Sequence, residues 1–391
     1  MTGPMRRIRI ADFSTHVSGP TGSLLLRSVG AEVVKIENHR FGDGNRSVPS
    51  APMIGANSTY HQALNFGARS IAADSQSEEW PAVVRAMAKW ADCVIAGGRP
   101  SDARRLGLDR ETIAAINPQA IHCHISGYGP LGPWAERAAH GQNPDALAGL
   151  VELEADESGH PRIAAWKPGG TSFAGAMAAM AILAALWHRA ERGVVLNVET
   201  SLWEAAVWWN WRELTPAANN AEEWKIREFG SRYGVYRAAD DRPILIAPIE
   251  KKFWDAFCEI AGLEDLRSTG DWSSRYDVGE KSPASRERVL IADAIRMRTL
   301  EEWAGLFGPK GIPFCEILTA NEVLRTPQAE AMKMLVPIEN GDGFAIRPPV
   351  RLVDGNGIPA IGIDGRLPAL GEHSQEYRPL IDAELRKGEV K

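Results

Sequence analysis

Cysteine is scarce in this chain, and the few cysteines are too far apart in sequence to suggest a shared site. The 391 residues include four, Cys93, Cys123, Cys258 and Cys315, and no pair has the CxxC spacing of a zinc or redox motif. A disulfide-stabilised secreted fold and a cysteine-bound metal are therefore disfavoured. We expect buried free thiols, no metal, and a reducing, cytoplasmic location.

The chain also lacks an excess of positive charge and a long apolar segment. Lysine and arginine total 44 against 50 acidic residues, so the formal net charge is −6 and provides no overall attraction to nucleic acid or to an anionic membrane. The most apolar segment, 173–187, is shorter than the roughly 20 residues that cross a bilayer. We therefore expect a core helix there, and neither a membrane nor a nucleic-acid partner.

Common catalytic signatures are missing as well. The sequence contains no HExxH, no P-loop and no GxSxG. The segment GYGPLG at 127–132 formally matches GxGxxG and follows a strand-like run. However, Pro130 and Pro133 remove backbone donors that a pyrophosphate needs, so dinucleotide binding of the Rossmann kind is disfavoured.

The stretch 127–187 nevertheless has the organisation of a reaction site. Two glycine-rich loops each lead into an apolar helical pattern, which would place reactive groups on a rigid scaffold. Acidic side chains are almost absent from its second half, because Glu191 is the only acid between Gly159 and Val198. The stretch therefore lacks an obvious carboxylate nucleophile.

The first third of the chain alternates strand-like and helical patterns. Short apolar runs predict strands at 8–10, 32–36, 70–73, 93–95 and 120–125. Helical patterns between them predict βαβ units, so we expect an α/β fold with a doubly wound parallel sheet. Ligands should then meet the loops at the carboxyl ends of strands, at 14–19, 38–46, 97–105 and 126–132.

The length of the chain favours more than one domain. We predict a large α/β domain over 1–216, a linker over 217–228, and a smaller α+β domain over 229–311. That smaller domain should begin with a hairpin that turns at Asp240 and Asp241. The segment 312–391, with short strand-like runs, is expected to return to the large domain.

Six arginines lie close to the expected strand ends. They are Arg40, Arg46, Arg69, Arg99, Arg104 and Arg105. Each alone is most often a solvated surface charge. If the strand ends converge, however, the six together would satisfy a ligand that carries several phosphates.

The sequence resembles a known family, the class III CoA-transferases, which also contains α-methylacyl-CoA racemase. The matching segments are ADFSTHVSGPTGSLLLRSVGAEVVKIE, GDGNR, LNFGARSIAAD, GGRPSDARRLGLD, ISGYGPLGP, AILAALWHR, VETSLWEA, GVYRAAD, KGIPFCEILTANEVLRTPQ and LPALGEH. The resemblance implies a large domain built from both chain ends, a smaller central domain and an interlocked dimer. It also implies that coenzyme A or an acyl-CoA is a substrate held on the large domain, and that no cofactor is bound covalently.

The resemblance also assigns catalytic positions. In the transferases an aspartate four residues before a helix-opening glycine attacks the acyl-CoA carbonyl, and alignment on Gly175 places Thr171 there. The racemases pair that aspartate with a histidine on the opposite face of an enolate, and His140 matches that histidine. Asp145 is the nearest carboxylate to His140 on the following helix start. It could equally be a first-turn acid favoured by the helix dipole.

The expected CoA site is also altered. Where the family carries Asn-Phe-Arg beside the adenine, this chain has Gly97, Gly98 and Arg99, so the arginine remains while an aromatic wall and an amide are lost. The residue after the KIE run, often basic or proline in the family, is Asn38. Affinity for CoA could therefore be low, or the pocket could admit another group.

Several functions follow from this pattern. The first is a family subunit that lacks the aspartate and acts on an acyl-CoA or a carboxylic acid together with an aspartate-bearing homologue. The second is an isomerase, racemase or lyase that uses His140 as base, and the third is a noncatalytic acyl-CoA-binding protein. A transferase with another carboxylate as nucleophile is the fourth. The expected partners are a CoA thioester, an organic acid, and either a second copy or a homologous subunit.

Overall fold

The computed structural model describes residues 4–49, 51–164, 167–221, 229–341, 343–355 and 365–388. The chain forms two compact units, the first made of Met1–Thr215 with Met332–Lys391 and the second of Pro216–Ala331. The first unit is thus built from both chain ends. Residues 222–228 of the expected linker lie outside the described residues.

Strands and helices alternate through most of the first unit. The strands of the two units are β1 (Arg9–Asp12), β2 (Glu32–Asn38), β3 (Met53–Ile54), β4 (Asn57–Ser58), β5 (Arg69–Ala73), β6 (Cys93–Gly97), β7 (Ile121–Ser126), β8 (Leu153–Ala155), β9 (Pro161–Ile163), β10 (Val198–Ser201), β11 (Gly234–Arg237), β12 (Pro243–Ile246), β13 (Phe314–Glu316), β14 (Leu335–Pro337) and β15 (Phe344–Ile346). The helices are α1 (Ser18–Ser28), α2 (Thr59–Asn65), α3 (Trp80–Trp90), α4 (Pro100–Arg105), α5 (Arg110–Ile116), α6 (Gln142–Leu147), α7 (Gly170–Arg192), α8 (Leu202–Trp209), α9 (Trp211–Ala218), α10 (Lys251–Ala261), α11 (Glu264–Arg267), α12 (Arg286–Ile295), α13 (Leu300–Lys310), α14 (Ala320–Val323), α15 (Pro327–Ala331) and α16 (Ser374–Gly388). A 3₁₀ turn occupies Gly44–Ser47.

Six strands form one parallel sheet in the order β10-β7-β6-β1-β2-β5. The chain builds one half of this sheet outward from β1 through β2 to β5, and then the other half outward from β6 through β7 to β10. The predicted doubly wound parallel sheet is therefore confirmed. Strand order reverses between β1 and β6, and ligands of such sheets bind beside that reversal, at the carboxyl ends of the strands.

Both faces of the sheet are covered, which explains why its strands are apolar on both sides. Neighbouring strand residues face opposite layers: Ile10 packs with the α7 side, and Ala11 with the α3 side. On the α3 side, Tyr377 and Ile381 of α16 join the core, so the carboxyl-terminal helix completes this layer.

Helices α1 and α7 cross at two glycines. A Cβ on Gly175 would lie 2.2 Å from the backbone oxygen of Ser18, and one on Gly22 would lie 3.0 Å from the oxygen of Gly175. Only glycine allows the two backbones to approach this closely. This contact holds the amino-terminal part of α7 against α1.

By length and composition α7 could cross a membrane, since it has 23 residues and its most apolar window has a mean hydropathy of 1.6. It is longer than the segment 173–187 expected from the sequence. Half of that window is buried inside the protein, against the sheet and α1. Such packing is typical of a core helix, and one such helix is weak evidence for a membrane span.

The second unit contains an antiparallel sheet, β11-β12-β13, with its own aromatic core. The expected hairpin forms, and Asp241 adopts a left-handed conformation at its turn, with φ of 62°. The third strand, β13, pairs with β12 through Leu245 and Cys315. The second unit runs to Ala331, beyond the 311 expected from the sequence, and it includes β13 with its pairing to β12.

All four cysteines are free thiols; Cys93, Cys123 and Cys258 are buried, and Cys315 is exposed. Burial raises the pKa of the Cys93 and Cys123 thiols in the parallel sheet. It also raises that of Cys258, to about 12. These three groups therefore stay protonated at neutral pH and are poor nucleophiles.

Candidate functional site

A buried ionic cluster organises the loops that follow β1 and β2. The ammonium of Lys35, which is 2% exposed, lies 2.6 Å from Asp43 Oδ2 and 3.6 Å from Asp12 Oδ2. It also donates to the backbone oxygen of Ser14 at 2.9 Å. Asp12 accepts further bonds from Ser14 and from the hydroxyl of Ser23. Lys35 thus links both strand ends in the interior.

Asp43 ties the second loop to the first. One of its oxygens accepts bonds from the Thr15 hydroxyl at 2.9 Å and from the His16 amide at 2.8 Å. Burial alone would raise the pKa of Asp43, but the charge of Lys35 and hydrogen bonds from the backbone amides of Asn45 and His16 hold it below the usual value. His16 itself adopts a left-handed conformation, with φ of 67°, which the cluster maintains.

Arg46 belongs to this support and not to an open phosphate site. Its guanidinium forms a bidentate pair with Glu37, with distances of 2.7 and 2.8 Å. Glu37 also accepts from the Ser70 hydroxyl at 2.6 Å and from the Asp43 amide at 2.8 Å. Burial tends to raise the pKa of Glu37, and Arg46 together with Ser70 lowers it below its usual value.

Arg69 lies away from the expected convergence of arginines. It is the first residue of β5, and its register partner is Val34 near the start of β2. Its side chain pairs with Glu32 at 3.4 Å and with Glu376 of α16. The sequence placed it beside a strand end, but the side chain is at the amino end of the strand, and ligands of parallel sheets bind at the carboxyl ends.

The other four arginines are exposed at the carboxyl edge. Arg40 follows β2, whereas Arg99, Arg104 and Arg105 follow β6 in or beside α4. The last three form exposed ion pairs, two with Asp102 and one with Glu136. Exposed ion pairs of this kind contribute little to stability. Little free energy is therefore lost when an anionic ligand takes the place of the acidic side chain.

The glycines at the end of β6 leave room for a ligand or backbone. Gly98 has φ of +97°, a conformation that favours glycine, and a Cβ there would meet no atom within 4 Å. A Cβ on Gly97 would lie 3.4 Å from Cβ of Ser14, so this turn adjoins the loop after β1. The two loops thus meet where strand order reverses.

Asp145 connects the two glycine-rich loops. Its carboxylate is fully buried and accepts the amides of Gly169, at 3.2 Å, and Gly170, at 2.9 Å. These amides are at the start of α7, where a helix leaves N–H groups without internal partners. Asp145 therefore caps α7 from a different helix, α6, while it also lies in the first turn of α6.

Thr171 is the second residue of α7 and is 6% exposed. Its hydroxyl is buried without a hydrogen-bond partner in the described part of the chain. The preceding Gly170 is tightly enclosed, since a Cβ there would lie 2.6 Å from both Asp145 Oδ1 and the backbone oxygen of Leu202.

His140 is exposed in the loop immediately before α6. Its backbone amide donates to Asn143 Oδ1 at 2.9 Å, and its carbonyl oxygen accepts from the Asn143 amide at 2.8 Å. The structure thus fixes the backbone of His140 while its imidazole faces solvent. The same short helix carries Asp145 into the interior.

Two histidines on β7, His122 and His124, were not among the site residues expected from the sequence. His122 and His124 line an open pocket with Arg104 and Glu199, on the face of the sheet beside α4 and α5. Burial lowers the pKa of both imidazoles, so they are neutral at neutral pH. The alternating His-Cys-His sequence within a strand was the available signal, since side chains two residues apart share one face.

The described residues contain no group of three or more histidine, cysteine or acidic side chains that could hold a metal ion. The exposed arginines Arg99 and Arg104 at the carboxyl edge have compensating acids nearby.

The chain therefore combines a doubly wound parallel sheet, in a unit built from both chain ends, with exposed arginines and glycine turns at the carboxyl edge of that sheet. The profile of CoA-transferase family III matches residues 5–374, so the chain belongs to that family.

Known relatives match almost the whole chain. A succinate–glutarate CoA-transferase of Agrobacterium fabrum is 27% identical, over 95% of this chain and 94% of the relative. A succinyl-CoA–L-malate CoA-transferase alpha subunit of Chloroflexus aurantiacus is 24% identical, over 94% of this chain and 83% of the relative. The crystal structure of Rv3272 from Mycobacterium tuberculosis is 26% identical and superposes with a TM-score of 0.80, covering 96% of this chain and 99% of that one.

Proposed function

We propose that this chain is a subunit of a heteromeric class III CoA-transferase, acting on an acyl-CoA and a carboxylic acid with an aspartate-bearing homologue. The observation that carries the proposal is the chemistry at the start of α7. Thr171 takes the position that the family resemblance assigns to the nucleophile, and a hydroxyl cannot form the mixed anhydride of carboxylate catalysis. The nearest acid, Asp145, is fully buried and engaged by backbone amides.

The relatives support a heteromer. One of them, which is 24% identical, is named as the alpha subunit of a succinyl-CoA–L-malate CoA-transferase. The exposed face of α7 is apolar, with Met180 at 59% and Trp187 at 69% exposure, and Trp208, Trp209 and Trp211 continue it on α8 and α9. A homologous subunit or a second copy would cover this surface in the cytoplasm.

For CoA we propose the carboxyl edge of the sheet. Arg40, Arg99, Arg104 and Arg105 are exposed there and would receive the phosphates, while the turn at Gly97 and Gly98 would let the ligand approach the backbone. Arg46 and Arg69 would contribute only indirectly, because each is held by acidic side chains of its own domain.

The decisive experiment compares the chain alone with the complex from its own host. The tagged chain purified alone should exchange no labelled CoA between succinyl-CoA and free acids above the buffer rate. Native mass spectrometry of the host complex should reveal a homologous subunit, and adding that subunit should raise exchange at least tenfold. Robust transfer by the chain alone would refute the subunit assignment.

A second candidate function rests on the exposure of His140. An imidazole that faces solvent on a fixed backbone could act as the base of an isomerase, racemase or lyase. His140→Ala should then abolish release of the α-proton of an acyl-CoA while calorimetry shows unchanged CoA binding. His160→Ala, which alters another exposed loop histidine, is the matched control. Binding without any product would instead identify a noncatalytic acyl-CoA-binding protein.

A further inference from the structure

A buried carboxylate occupies the start of α7, next to the position proposed for the family nucleophile. The two carboxylate oxygens of Asp145 accept hydrogen bonds from the backbone amides of Gly169 and Gly170 in this turn. Asp145 has no exposed surface. The favourable end of the helix dipole is therefore already used by a negative charge that belongs to the protein itself.

Thr171 follows directly after the second of these amides. One hydrogen bond of 2.9 Å and one residue step separate Asp145 Oδ1 from the Cα of Thr171, which places the two within about 8 Å. A neutral hydroxyl tolerates that neighbour. An ionised carboxylate at position 171 would repel Asp145 through a poorly solvated interior, where like charges interact strongly.

We propose that Asp145 is a positioning residue that holds the first turn of α7 with its own charge and thereby excludes a nucleophilic carboxylate from position 171. Neutralising Asp145 is then required before an aspartate at position 171 can be accommodated and react. The charge coupling between positions 145 and 171 is a property of the fold. Only the expected reaction at position 171 rests on the proposed function, which assigns Thr171 to the nucleophile position.

The charge coupling is tested by a double-mutant cycle in urea. The four proteins are wild type, Asp145→Asn, Thr171→Asp and the double variant, and asparagine can still accept an amide at the cap. At neutral pH we expect the two changes to be coupled by at least tenfold in the folding equilibrium constant. The double variant should be more stable, by that factor, than the sum of the two single changes predicts. A parallel cycle with Thr171→Asn, which is uncharged, should show less than threefold coupling. Equal coupling in both cycles, or none, would overturn the proposal.

Failure to fold is itself informative in this design. If Thr171→Asp does not fold but the double variant does, the proposal is supported. Ser172→Asp places a carboxylate on the next residue, which is exposed, and should fold normally. If Thr171→Asp and the double variant both fail while Ser172→Asp and Thr171→Asn fold, burial alone excludes the acid and the proposal is overturned.

The reaction arm separates this inference from the proposed function. An introduced carboxylate at position 171 would attack the thioester carbonyl of succinyl-CoA and expel CoA thiolate. The thiolate would then attack the aspartyl carbonyl of the mixed anhydride and release succinate, and hydroxylamine would convert the resulting aspartyl thioester into a hydroxamate. Peptide mass spectrometry should find at least tenfold more hydroxamate at position 171 in the double variant than in Thr171→Asp.

Two other results would separate the role of Asp145 from the assignment of position 171. Charge coupling without any hydroxamate would support the role of Asp145 and refute the assignment of position 171 as the nucleophile site. A hydroxamate on Asp145 itself in the wild-type protein would overturn the inference, because that carboxylate would then be a nucleophile and not a positioning residue.

Discussion

Removing the ammonium of Lys35 should destabilise the first unit severely. In Lys35→Met the apolar side chain fills a similar volume, but Asp43 and Asp12 lose their cation while 3% and 1% exposed. The lost contacts are the 2.6 Å pair with Asp43 and the 3.6 Å pair with Asp12. Breaking a buried ion pair from one side costs about 3–5 kcal/mol in free energy of unfolding, because the remaining charge is left without compensation.

Urea unfolding would measure this loss, and peptide-level hydrogen exchange over β1 and β2 would assign it to the first unit. Lys89→Met is the matched control, since Lys89 is 43% exposed in its pair with Glu384; it should cost less than about 1 kcal/mol. Adding Asp43→Asn to Lys35→Met should recover part of the loss. If Lys35→Met lost less than about 1 kcal/mol at neutral pH, the reasoning about the buried cluster would be refuted.

The same cluster predicts a pH dependence with a definite sign. The pKa values of Asp43 and Glu37 are lowered in the folded protein, so their contribution is complete above the unfolded carboxyl pKa values of about 4 and is lost as pH falls through the folded values. The pKa of Lys35 is raised: although burial lowers it, the charges of Asp12 and Asp43 more than compensate. The Lys35 contribution is therefore complete below its unfolded pKa and lost only in strong base. The difference in stability between wild type and Lys35→Met should shrink from pH 7 to pH 3.

Three further results are expected. Arg232→Met should destabilise the second unit by about 3–5 kcal/mol in urea unfolding, because its buried ion pair would be broken from one side. The guanidinium is 1% exposed, pairs with Glu287 at 2.7 Å and lies 4.1 Å from the ring centre of Trp254. An effect below about 1 kcal/mol would contradict this account. Gly175→Ala should lower the melting temperature because its Cβ would overlap the backbone of α1, whereas Gly305→Ala on α13, where a Cβ meets no atom within 4 Å, should leave it equal or higher. Iodoacetamide should label Cys315 alone in the native protein, as read by peptide mass spectrometry, and labelling of Cys93 before unfolding would show that its strand is not buried.

The sheet could be predicted because its strands carry their own signal. Runs such as Glu32–Ile36 and Cys93–Ile95 are apolar enough to be buried on both faces, and the helical patterns between them imply parallel crossovers. The structure extends each of these two strands by two residues, to Asn38 and Gly97, without changing their order along the chain. Strand identity is a local property, which is why sequence reasoning succeeded.

The grouping of the arginines could not be predicted in the same way. Which acid neutralises Arg46 or Arg69 depends on partners that are far away in sequence or on another strand, such as Glu376 on α16. Similarly, β13 belongs to the second unit because it pairs with β12, about seventy residues earlier. Neither partner leaves a mark on the local sequence pattern, because long-range pairing is decided by packing.

The start of α7 shows the division most clearly. The sequence by itself determined the α/β class, the family, and the absence of an acid around Thr171, since these depend on residue types and their order. Only the tertiary structure decided where the nearest carboxylate goes. Asp145 is on another helix, and the close packing of Gly170 brings its oxygens onto the free amides of α7. A helix start must satisfy its buried N–H groups, and here the fold does so with an acid from elsewhere in the chain.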